Sequence, residues 1–129
     1  MRRSAVFLAL WLSLGFSPAA QAQNTLPADV QQAQAKVWDL QSQLYDAKYR
    51  LAIARIDADK GHEISEMNRA TQAKDFKRAG DCQARIANLD HRREVENQRL
   101  QLNHQLLQAQ QSGDKGQQGQ LKSQLKGLR

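Results

Sequence analysis

The sequence holds one cysteine, Cys82, and two prolines, Pro18 and Pro27. A single cysteine excludes an intramolecular disulfide framework. After Pro27 no proline interrupts the chain, so nothing of that kind stops a helix from running on. Aromatic residues are 5% of the sequence, and beyond residue 22 only Trp38, Tyr45, Tyr49 and Phe76 remain. That is too few for a deep globular core or a β-core. No Gly-rich phosphate loop, zinc-ligand spacing, EF-hand loop or nucleophile–base set is visible. The reading is therefore of a non-enzyme without cofactor.

The N-terminal residues have a separate character. Arg2 and Arg3 precede an apolar run from Ala5 to Phe16, broken only by Ser13 and Gly15. Pro18 and Ala20-Gln21-Ala22 follow. A positive start, a short apolar run and an A-x-A site are the three parts of a secretory signal peptide, so residues 1–22 are expected to be removed after Ala22. The run is too short for a membrane anchor, which needs about 20 apolar residues. The expected location is periplasmic. Without Arg2 and Arg3 the net charge falls from +6 to +4. That modest excess permits weak binding to anionic envelope components and does not indicate a nucleic-acid partner.

The remaining chain is rich in Gln, Ala, Leu, Lys and Arg, a composition for long helices. Val30, Ala33, Val37, Leu40, Leu44, Ala47, Leu51, Ala54 and Ala58 recur at alternating spacings of three and four. Apolar residues with that period line one side of a helix and require another helix to cover them. The expected fold is all-α: a long antiparallel helical hairpin, coiled-coil in kind, over 23–111, and a short third helix within 112–129. Pro27 suits the first turn of the first helix, with Thr25 a possible cap. Gly61 softens this helix without ending it, and the register slips after Ala58.

The first reversal is placed at Lys74-Asp75, where Asp75 is a good N-cap. Facing residue numbers then total about 150, pairing Met67 with Cys82, Ile64 with Ile86, Leu51 with Leu100 and Leu44 with Leu107. The other candidate reversal is Gly80-Asp81. Ser112-Gly113-Asp114-Lys115-Gly116 marks a second break. Beyond it Leu121, Leu125 and Leu128 share a face that would pair Leu121 with Leu107 and Leu128 with Leu100. An offset of 39 aligns Met67, Ala70, Asp75, Gly80, Cys82, Ile86 and Leu89 with Leu106, Ala109, Asp114, Gly119, Leu121, Leu125 and Leu128. Duplication and the shared grammar of helical hairpins both account for it.

Trp38, Tyr45, Tyr49, Ile53 and Ile56 form a second apolar face on the first helix, roughly opposite the heptad face. If the heptad face meets the second helix, this aromatic face is left for the third helix, for a second copy of the chain, or for a client. It is the candidate partner-binding site. Asp59, His62, Glu63 and Glu66, with His91 and Glu94 opposite, could approach a metal site. Arg92 and Arg93 beside them favour ion pairs across the helices instead. Lys77, Arg78, Arg85, Arg92, Arg93 and Arg99 make a basic surface that the first helix's acids would partly neutralise. His104 and Asn103 lie among leucines, where a polar residue sets register. Cys82 is expected to be buried, an inter-chain disulfide being the alternative.

These features point to an exported coiled-coil interaction protein, self-associated, acting on a protein partner or client as an adaptor or holdase-like chaperone. The alternative is a structural component of an envelope or secretion assembly. A small metal-dependent bundle using the Asp59–Glu66 cluster is the one enzymatic reading.

Overall fold

The computed structural model describes residues 26–128, and the leader 1–22 lies outside them. The described chain is all-α. Helix α1 spans Ala28–Gln72, α2 Phe76–Ser112 and α3 Lys115–Gly127. Among the described residues no helix is long and apolar enough to cross a membrane.

The chain divides at Gln34 into two units. In the described part of the first, the Pro27 carbonyl accepts the amide of Gln31 at 3.0 Å. Proline thus stands just before the helix, where its missing N–H costs nothing. Asp29 lies in the first turn, where a carboxylate complements the positive end of the helix dipole. Leu26 and Val30 are exposed.

In the second unit, both helix junctions are built alike. At the end of α1, Lys74 takes a left-handed conformation, φ 59°. Its amide bonds to the Thr71 carbonyl, and the Asp75 amide bonds to the Ala70 carbonyl at 2.8 Å. At the end of α2, Gly113 has φ 74°. Its amide bonds to the Gln110 carbonyl, and the Asp114 amide to the Ala109 carbonyl at 3.0 Å. Both are Schellman endings. In each, the following aspartate also caps the next helix: Asp75 accepts from Arg78 N at 3.1 Å and Asp114 from Gln117 N at 2.9 Å. The junction geometry therefore repeats at the offset of 39. Ala70 and Ala109 are both buried, as are Cys82 and Leu121, while Ile86 and Leu125 are both half-buried.

The α2–α3 junction closes over a small core of Leu106, Ala109 and Leu121, with Leu102 and Leu125 against it. Leu121 was expected opposite Leu107. It packs instead with Leu106 and Ala109, while Leu107 lies with His104 in a groove lined also by Trp38 of α1.

Between α1 and α2, polar contacts recur along the length. Asp46 accepts from His104, Asp57 from Arg93 and Asp90 from Lys60, at 2.9, 2.7 and 2.6 Å. In each of these three pairs the residue numbers total 150. Glu63 meets Arg85, and Glu66 meets Arg78. As positions rise on α1, their partners fall on α2. The expected pairings of Leu44, Leu51 and Ile64 are not the ones made. Leu44, Leu51 and Ile64 are exposed, whereas Ile56 retains only 3% of its surface and Cys82 none. The side of α1 that meets α2 is the aromatic one.

Candidate functional site

Helix α1 carries its two apolar faces about half a turn apart, and the structure settles which is free. Tyr49 donates its hydroxyl proton to Asn97 Oδ1 at 2.7 Å. Tyr45 stands edge-on to the His104 ring, with centroids 6.3 Å apart. Trp38 shares a groove with His104 and Leu107. Ile53 is half-buried and Ile56 is buried. Trp38, Tyr45, Tyr49, Ile53 and Ile56 were expected to be the uncovered strip. Instead, they form the α1 side of the contact with α2.

The physical reason lies in the polar residues mixed into that face. Ser42, Asp46, Tyr49, Asp57, Lys60, Glu63 and Glu66 share the same side of α1. The facing side of α2 offers His104, Asn97, Arg93, Asp90, Arg85 and Arg78. Polar groups brought together in a contact must find partners, and these two mixed faces satisfy each other. His104 illustrates this: its Nε2 donates to Asp46 Oδ1 at 2.9 Å, and Ser42 Oγ lies 3.5 Å from Nδ1. The leucine-rich heptad face offers α2 no such match.

The heptad face is therefore the open one. Val37, Leu40, Leu44 and Leu51 expose 58%, 53%, 50% and 53% of their surface. Ala47, Ala54 and Ala58, between and beyond them, are exposed as well. Four large aliphatic side chains in a line at heptad spacing exceed the scatter of single apolar residues normal on a protein surface.

Asp59, His62, Glu63 and Glu66 do not converge. Glu66 accepts from Arg69 and Arg78. Glu63 Oε2 lies 2.9 Å from Arg85 Nε, an ion pair across the two helices. The interaction with the Glu63 carboxylate, which favours the charged form, raises the Arg85 guanidinium above its ordinary value. The side chains grouped with Asp59, His62 and Glu63 include Arg85, Asn88 and Arg92, where His91 and Glu94 were expected. Among the described residues no three His, Cys, Asp or Glu side chains gather as a metal site would. Of the basic residues on α2, Arg78, Arg85 and Arg93 are paired with acids of α1, and Arg99 with Glu96 of its own helix.

No protein-family model, curated protein or solved structure matches the chain.

Proposed function

We propose that the protein is an exported, periplasmic, non-enzymatic interaction protein. It would be a long antiparallel helical hairpin that holds a protein partner or client against the heptad face of α1, as an adaptor or holdase-like chaperone does. The observation that carries this reading is the exposed line of Val37, Leu40, Leu44 and Leu51. An apolar helical stripe left in water is a docking surface, because covering it releases the water that it orders. The hairpin is supported by the partner numbers, which fall on α2 as they rise on α1. Export is supported by the three-part leader of residues 1–22.

The test is suppression of aggregation of an unfolded client by the purified chain. A Leu44→Asp/Leu51→Asp variant should keep its helical circular dichroism and lose protection. Protection equal to that of the original chain would remove the heptad face as the grip. A single stoichiometric partner on pull-down, with no client protection, would point instead to a structural component of an envelope assembly.

A further inference from the structure

The open stripe and its borders together specify what covers it. Val37, Leu40, Leu44, Ala47, Leu51, Ala54 and Ala58 are a strict two-in-seven seam. Such a narrow stripe is the geometry of a helix-to-helix contact. A membrane-surface face is broader and carries Trp or Phe, and this seam has neither. In heptad terms the seam is bordered on one side by Lys36, Gln43, Arg50 and Asp57, and on the other by Gln41, Lys48 and Arg55. Lys36, Lys48, Arg50 and Arg55 are exposed and, among the described residues, make no ion pair. Between Val37 and Ala58 the one bordering acid is Asp57, which already accepts from Arg93 at 2.7 Å.

These borders disfavour a second copy of the chain. A parallel copy sets Arg50 against Arg55 of its neighbour and offers no opposite charge in exchange. In an antiparallel copy each border meets itself: Gln41, Lys48 and Arg55 contain no acid in any register, and Asp57, the one acid of the other border, is already paired with Arg93. Border charges select the partner and its orientation in helical pairs. We propose that the occupant of this seam is an amphipathic helix of another protein, with an apolar heptad stripe bordered by Glu or Asp. This rests on the reading of the heptad face as the interaction surface and adds the chemistry of the partner. The acidic borders of such a helix would meet the free cations of α1 while its stripe covers Leu40, Leu44 and Leu51.

The test uses the purified full chain and two fluorescent peptides of about three heptads. Both carry Leu at the two seam positions. One carries Glu at the border positions and the other Lys. Anisotropy titrations should show the acidic peptide binding roughly tenfold tighter at low salt, with the gap narrowing in about 0.5 M salt. A Lys48→Glu/Arg50→Glu/Arg55→Glu variant should reverse the order, and Leu44→Asp should weaken both peptides. Equal affinity for the two peptides, or an unchanged order in the charge-reversed variant, overturns the acidic partner while leaving the interaction face standing. The acidic partner is likewise overturned by a stable dimer in sedimentation that Leu44→Asp dissolves and the acidic peptide does not displace, or by anionic phosphatidylglycerol vesicles outcompeting the acidic peptide. If neither peptide binds and Leu44→Asp/Leu51→Asp still protects clients, both readings fall.

Discussion

Ile56 and Leu51 sit five residues apart on one helix and differ in nearly everything that decides stability. Ile56 is 3% exposed and Leu51 is 53% exposed. Truncating Ile56 to Ala should cost about 2–5 kcal/mol, as buried aliphatic truncations do. Leu51→Ala should change stability by less than about 0.5 kcal/mol in dilute solution. Urea unfolding of the two variants measures both, and the opposite order would mean that the wrong face of α1 has been assigned to α2. Tyr49→Phe belongs with Ile56: it strands Asn97 Oδ1 and should cost about 1 kcal/mol. Cys82 makes a further prediction. Its side chain is fully buried and Arg85 donates to its sulfur at 3.2 Å. The native thiol should therefore react slowly with a thiol reagent, the rate rising steeply in denaturant. Fast labelling without denaturant would show that the site opens, and would restore the inter-chain disulfide as an option.

At the scale of elements, a glycine inside a helix and a glycine at a junction predict opposite responses to the same change. Gly61 lies inside α1, and a methyl group there would meet nothing within 4 Å. Gly61→Ala should raise stability by about 1 kcal/mol through helix propensity alone. Gly113 is equally open but has φ 74°, so Gly113→Ala should lower stability by about 1–2 kcal/mol. Thermal unfolding followed at 222 nm compares the pair, and a shared sign would contradict the assigned junctions. Lys74 occupies at the first junction the left-handed position that Gly113 holds at the second. Lys74→Gly should accordingly stabilise the chain, by up to about 1 kcal/mol. The cap at Asp75 was legible in the sequence because the chemistry of an N-cap is local: one oxygen, one amide, three residues apart; Asp114 was read only as part of a turn, and the structure shows it capping in the same way. The matching geometry of the two junctions appears only when their carbonyl partners are traced.

At the scale of the whole molecule, the ion pairs between α1 and α2 contribute to register more than to stability. Arg93–Asp57 leaves 45% and 49% of the two side chains exposed, and Lys60–Asp90 32% and 52%. Pairs this open contribute about 0.2–1 kcal/mol each. Salt near 1 M, which shortens the screening length to about 3 Å, should leave the helical signal in place and move the melting temperature by only a few degrees. Loss of helix in high salt would show that charge, rather than burial of Ile56, Ala70, Cys82, Leu89 and Val95, holds the chain together.

The sequence by itself marked the helices, the breaks and the cap at Asp75, and it offered two reversals, at Lys74-Asp75 and at Gly80-Asp81, of which the structure makes the first. Each follows from local chemistry or from the position of the break near Asp75. It also marked both apolar faces of α1, since periodicity records which residues share a side. Which face turns inward was decided only in three dimensions. Periodicity counts apolar residues and weighs Leu44 above Tyr45. The contact must satisfy every polar group it covers, and only the side bearing Ser42, Asp46, Tyr49 and Glu63 finds partners on α2. The more regular stripe, Val37 to Ala58, was thereby left to the solvent.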